Sequence, residues 1–242
     1  MSVRPWCFAI AAFLCSLMSG QNASMAADRL VLAELFTSQS CSSCPPADAL
    51  LGDLAKRRDV LALSFHVDYW DGLGWKDPYS SPAATARQQR YADLLRSQVY
   101  TPQLVVDGRA EAVGSDRRAV EGMLRREQTA LASATIRQNN GHLQIHVDGA
   151  TSLGANRSAD ILLVTFDPIH KTSVRGGENG GRYLVTYNDV RSFRTVGTWR
   201  GEAVSLDVAA NGGEVGERAA IIVQSSDGTV WALAATEAAA LD

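Results

Sequence analysis

The sequence predicts an α/β unit over residues 28–130 followed by an all-β, sandwich-like unit over residues 131–242, exported behind a cleaved leader. Three observations predict it. Two short apolar runs, residues 30–36 and 60–67, flank an amphipathic stretch, which is the pattern of a strand–helix–strand unit. Beyond about residue 131 only short candidate strands recur, separated by Gly-, Asn- and Asp-rich turns. Residues 1–27 place Arg4 ahead of an apolar run and end in small residues, Ser24, Ala26 and Ala27, as a secretory signal peptide does.

Taken in order, residues 30–36 (LVLAELF) are bounded by Thr37, Ser38, Gln39 and Ser40 and read as a buried strand. Cys41 and Cys44 follow directly. Pro45 and Pro46 then open a helix with Leu50, Leu51 and Leu54 on one face and Lys56, Arg57 and Arg58 in its last turn, where cations suit the helix dipole. A residue before proline is biased out of the right-handed helical region, so the helix is expected to begin at Pro45 or Pro46 and not at Cys41. Residues 60–67 (VLALSFHV) form a continuous apolar run, as in a parallel sheet covered on both faces. The next fifteen residues (DYWDGLGWKDPYSSP) are too rich in Gly, Pro and aromatics for regular structure and make a long loop. A helix over 83–98, a hairpin of 104–106 and 110–113 around Asp107 and Gly108, and a helix over 117–128 complete the first unit. In the second unit the candidate strands are 134–138, 142–147, 159–166, 182–188, 203–208, 219–224 and 230–235.

The 242-residue chain has a formal net charge of -3, and its basic residues are scattered, which excludes a phosphate-tracking surface for nucleic acid. The apolar run of the leader falls short of the roughly 20 residues a spanning helix needs, and no later run reaches that length. No membrane association is expected once the leader is cleaved. Of the four cysteines, Cys7 and Cys15 leave with the leader, so the mature chain keeps only Cys41 and Cys44. Export puts this pair in an oxidising compartment, periplasmic or extracellular, where disulfides persist. None of these features encodes an oligomeric state.

A lone C-x-x-C in such a chain is a redox pair, half of a metal site or a small staple. In the chain-entropy account a disulfide around about four residues stabilises by only roughly 2 kcal/mol, against about 4.7 for a 100-residue loop, so the pair is a poor staple. A thiol near a helix N-terminus is more readily a thiolate, and a second cysteine three residues on can resolve a mixed disulfide. That logic makes Cys41 the attacking thiol and Cys44 the resolving one, with protein thiols or disulfides as partners and no cofactor.

The order strand, C-x-x-C, helix, strand, helix, Thr101-Pro102, hairpin, helix resembles the thioredoxin fold in its shorter, glutaredoxin-like form over residues 28–130, under half the chain. The resemblance implies a cis peptide bond before Pro102, with Thr101 preceding it and the loop lying against the cysteines. It also has departures: Ser40 stands where thioredoxins usually carry Trp, and Pro45 follows the second cysteine. Across the mature chain the segments TSQSCSSCPPAD, FHVDYWDGLGWKDP, RQQRY and RGGENGGR resemble DUF1223, a family of secreted bacterial proteins of uncharacterised function. That resemblance implies a fold and a compartment but no substrate.

His66 ends the second apolar run, beside the expected position of the cysteines. Two thiolates and an imidazole suit copper or zinc, as in thioredoxin-like copper-delivery proteins, with Asp68 and Asp71 as candidate oxygen ligands. The competing reading is a hydrogen-bonded strand-end histidine among turn-forming aspartates. Tyr69, Trp70, Trp75 and Tyr79 either line a substrate groove or pin their loop. The glycine-rich segment 175–182 lacks the Lys-Ser/Thr of a P-loop and lies between strands, so it reads as a turn contacting the first unit. His142, His146 and His170 read as ordinary strand or turn residues. Two functional expectations result: a periplasmic thiol–disulfide oxidoreductase acting through Cys41 and Cys44, or a non-catalytic module. The latter would bind a metal through Cys41, Cys44 and His66, or a protein through its β-sandwich.

Overall fold

The structure, a computed structural model, describes residues 30–126, 130–150, 157–210 and 217–236. The expected leader over residues 1–27 lies outside the described residues. β1 (Val31–Thr37) and β2 (Val60–His66) run parallel, from Val31 beside Val60 to Thr37 beside His66. All seven residues of β2 are buried, as its unbroken apolar run requires of a strand covered on both faces. Between them α1 (Pro45–Leu54) starts at the first proline, with Cys44 as its N-cap. Cys44 itself lies in the right-handed helical region, against the bias of a pre-proline residue. The reason is local: its carbonyl accepts from the amides of Ala47 and Asp48, and its own amide donates to the Cys41 carbonyl.

After β2 a single 3-10 turn, Asp68–Trp70, interrupts the long loop, and Ser81 caps α2 (Pro82–Leu95) by accepting from the Ala84 amide. β3 (Gln103–Val106) and β4 (Ala110–Val113) form the expected hairpin, β3 running antiparallel to β1, and α3 (Arg117–Leu124) is capped by Asp116. The second half adds β5 (Ala134–Asn139), β6 (His142–Val147), β7 (Ala159–Ser173), β8 (Tyr183–Trp199), β9 (Val204–Ala209), β10 (Arg218–Ser225) and β11 (Val230–Ala235).

The expected fold class, a thioredoxin-like α/β unit followed by a separate all-β sandwich, is overturned. The protein is mostly β, with three α-helices among the described residues, and strands of both halves share one eight-stranded mixed sheet in the order β11-β10-β7-β8-β2-β1-β3-β4. The physical reason lies in β7 and β8. They are 15 and 17 residues long, whereas the sequence pattern ends the corresponding strands at Phe166 and Asn188. Asp167-Pro168 and Asn188-Asp189 read as strand stops. In the structure the pair runs straight through them: the register shifts between Thr165 and Phe166, and Asn188, opposite Pro168, takes a positive φ of 50°. β8 then reaches β2 and pairs in parallel at Ser64 and Asp189, which gives the otherwise open edge of β2 a neighbour.

The core follows the sheet across both halves. On one face α1 and α3 bury Leu50, Leu51, Leu54, Val120 and Met123 against Leu35, Ala62, Leu104 and Val106. On the other, Ala84 and Tyr91 of α2 pack with Leu32, Phe36 and Phe65 and with Phe166, Ile222 and Val230 of the second half. A smaller sheet, β5-β6-β9, covers the far end over Trp199 and Trp231, whose rings meet edge to face at 5.8 Å. A buried polar bridge ties the halves together. Arg87 donates to Glu34 at 2.7 Å and to Tyr91 at 2.9 Å, while Gln224 of β10 donates to Tyr91 at 2.8 Å.

Candidate functional site

The topology brings the sequence-predicted positions to one end of three adjacent strands. Thr37 ends β1, with His66 of β2 in register on one side. On the other side Gln103 pairs with Phe36, so Thr101 and Pro102 lie beside the turn leaving β1. The Thr101–Pro102 peptide bond is cis. Thr101 accepts a hydrogen bond from the Trp70 indole at 2.9 Å, and the Pro102 carbonyl accepts from the Gly114 amide at 2.9 Å.

Cys41 and Cys44 are joined by a disulfide with their Cα atoms 5.4 Å apart. Both residues are fully buried, while Ser42 and Ser43 between them are exposed. Cys41 Sγ lies 3.3 Å from the Ser43 hydroxyl. Because α1 begins at Pro45, Cys41 sits a turn ahead of the helix, in the tight turn closed by its own amide on the Ser38 carbonyl.

Directly inside this turn is a buried ionisable cluster. Asp48, one helical turn after Cys44 on α1, accepts from the Thr37 hydroxyl at 2.9 Å. Burial pushes its carboxyl up to about 7, although the His66 charge and the Thr37 hydrogen bond pull the other way. Position i+4 stacks above position i on a helix face, so the Asp48 side chain leans back over the turn that carries Cys44. His66 is held between two carboxylates, Nδ1 at 2.7 Å from Asp77 and Nε2 at 3.1 Å from Asp189. Burial alone would lower its basicity, but the flanking Asp77 and Asp189 charges outweigh it and hold the imidazolium well above its usual range. Asp77 also accepts from the Gln39 and Tyr79 amides, and despite its burial the His66 charge keeps it below the usual carboxylate value. Asp189 accepts from the Thr186 hydroxyl at 2.5 Å.

Both ring nitrogens of His66 face carboxylates, so in this structure the strand-end imidazole is part of an ion cluster. Among the described residues no group of three or more His, Cys, Asp or Glu side chains is arranged to hold a metal ion. Asp68 and Asp71 form turns: Asp68 accepts from Thr85, and Asp71 from Ser80 and from the Asp77 amide. The aromatic residues of their loop pin it down. Trp75 donates to the Gln39 side chain, Tyr69 to Gln88, and Tyr79 packs between His66 and His170. His142 and His146 sit on the exposed face of the small sheet, paired with Asp207 and Ser205.

From the outside, the glycine-rich turn between β7 and β8 straps across the cysteine turn. Asn179, fully buried, donates to the carbonyls of Gln39 at 3.0 Å and Cys41 at 2.8 Å. Glu178 accepts from the amide of Ser42 at 3.0 Å and from its hydroxyl at 2.6 Å, and these two bonds hold its carboxyl below the usual value. The glycines are required by close approach. A β-carbon on Gly176 would collide with the Gly74 carbonyl, and Gly177, at a φ of 68°, lies against Ser40.

Sequence reasoning missed Asp48, Asp77, Asp189 and the roles of Glu178 and Asn179. Asp48 left one signal: Cys44, Asp48 and Leu51 fall on one helix face, so a carboxylate interrupts an apolar stripe. Asp189 left none, because only the parallel pairing of β8 with β2 brings it to His66.

No curated protein matches the chain. It is similar to a structural-genomics protein from Agrobacterium tumefaciens, solved by X-ray crystallography. The two share 30% identity at a TM-score of 0.71, over 86% of this chain and 93% of that one. The model of DUF1223, described as a protein of unknown function, matches residues 32–224, and the chain belongs to this family.

Proposed function

We propose that the protein is exported to the periplasm and there exchanges its Cys41–Cys44 disulfide with the thiols of other proteins. One observation carries this reading: the disulfide sits at a strand–helix turn whose Cys44 stands one helical turn before Asp48, a buried carboxyl raised to about 7. Exchange must deliver and remove a proton at a buried sulfur, and a carboxyl poised near neutrality can do both. The leader-like residues 1–27 supply the argument for export.

In the disulfide-donating direction a partner thiolate attacks Cys41 Sγ. The Cys41–Cys44 bond breaks, and Cys44 leaves with the electron pair as a thiolate. Asp48, protonated below about pH 7, gives its proton to that thiolate, and the resulting carboxylate faces the His66 imidazolium. A second partner thiol then displaces Cys41, so the partner is oxidised by two electrons and the C-x-x-C is reduced to two thiols. In reverse, the Asp48 carboxylate takes the Cys44 proton and frees the resolving thiolate.

Equilibration of the purified mature protein with glutathione and dithiothreitol buffers tests the proposal. A potential between roughly -270 and -120 mV is expected, with a mixed disulfide trapped on Cys41 when Cys44 is replaced by Ser. A potential below roughly -300 mV would make the bond structural and end the proposal.

A further inference from the structure

We infer that Glu178, contributed by the β7–β8 turn, sets the reactivity of Cys41: its carboxylate occupies the Ser42 amide between the cysteines, opposes a thiolate at Cys41 and biases the pair toward the disulfide. The inference rests on the exchange reading above and concerns the same turn.

The observations are these. Glu178 Oε2 accepts from both Ser42 donors, one residue from Cys41. A thiolate at Cys41 would look to the same exposed amides for stabilisation, since α1 begins only at Pro45 and supplies no helix end at Cys41. The carboxylate therefore removes a donor and adds a like charge. Among the described residues no cation pairs with Glu178; Arg182, on the same strap, donates its Nη1 to the Asn179 side chain at 2.7 Å and keeps its charge. The other charges facing this turn come from within the protein, where Asp77 holds the Gln39 amide and is paired with His66, and Asp48 follows Cys44 by one helical turn. Asn179 has a separate task. By binding the Gln39 and Cys41 carbonyls it holds the strap over two fully buried cysteines and limits access to them without changing any charge.

The chemistry read by the test is ordinary reduction. Dithiothreitol supplies two electrons and two protons, the Cys41–Cys44 bond breaks, and dithiothreitol closes to its own disulfide. In Glu178→Gln the amide keeps the hydrogen bonds to Ser42 and loses the charge. Its reduced form, titrated by thiolate ultraviolet absorbance, is expected to ionise at lower pH than the wild type. Its equilibrium with glutathione should move about three- to tenfold toward the dithiol at low ionic strength, and less in concentrated salt, because the site is at the surface. Asn179→Ala should speed reduction by dithiothreitol while leaving the thiol titration unchanged.

A reducible pair whose thiol titration and glutathione equilibrium are the same in Glu178→Gln and wild type overturns this inference and leaves the exchange reading standing. A wild-type disulfide that no dithiothreitol buffer reduces overturns the exchange reading, and the inference with it.

Discussion

Replacing Asp48 by Asn should stabilise the folded protein, and the gain should depend on pH. In the fold the Asp48 carboxyl is raised from its ordinary 3.8 to about 7, with burial as the main cause. In the unfolded chain it ionises freely. Stability from this group is therefore full below pH 3.8 and is lost as pH rises toward the folded value, because the unfolded state sheds its proton first. At 1.36 kcal/mol per pKa unit the loss is under about 1 kcal/mol at pH 4, about 2 at pH 5 and about 4 at pH 7, beyond which it levels off. Asparagine has the same shape, can still accept from Thr37 and never ionises. Urea unfolding of the disulfide-intact forms at pH 4, 5, 6 and 7 should show Asp48→Asn gaining on the wild type over this range. A difference that is constant from pH 4 to pH 7 would refute a neutral, titrating carboxyl at Asp48. A stabilising substitution at this position also fits the proposed chemistry, since groups kept for function commonly cost stability.

Two further outcomes follow from the same framework. His66→Gln should destabilise by roughly 3–5 kcal/mol at neutral pH, because Asp77 and Asp189 are left buried without a cation. In the wild type, stability owed to His66 is full below its ordinary value and is lost progressively as pH rises from there toward the raised folded value, so thermal melts should weaken from neutral pH into mild alkali and do so less in the variant. Gly52→Ala should cost about 1–3 kcal/mol by overpacking, because a β-carbon there meets the Tyr187 ring; pairing it with Tyr187→Ala should recover part of that loss in a double-mutant cycle.

Much of the local structure was legible in the sequence. Short apolar runs, the 3.6-residue period and turn signals place β1, α1, β2, α2, the Asp107-Gly108 hairpin and, apart from the far ends of β7 and β8, the strands of the second half close to where they lie, because those signals depend on neighbours along the chain. Pro45 marks the start of α1, and the cysteine spacing marks the turn that carries the disulfide. What the sequence could not carry was the joining of the halves. Asp167-Pro168 and Asn188-Asp189 look like strand stops locally, yet β7 and β8 continue through them because pairing with each other and with β2 satisfies backbone groups that no local pattern reports. The same long-range pairing decides the site. Asp189 reaches His66 only through β8, Asp77 only through the fold of its loop, and Glu178 and Asn179 reach Ser42 and Cys41 across more than 130 residues. By itself the sequence determined which sulfurs form the pair and on what kind of turn they sit. Tertiary structure alone decided which charges surround them, because electrostatics depends on distance in space and not on separation along the chain.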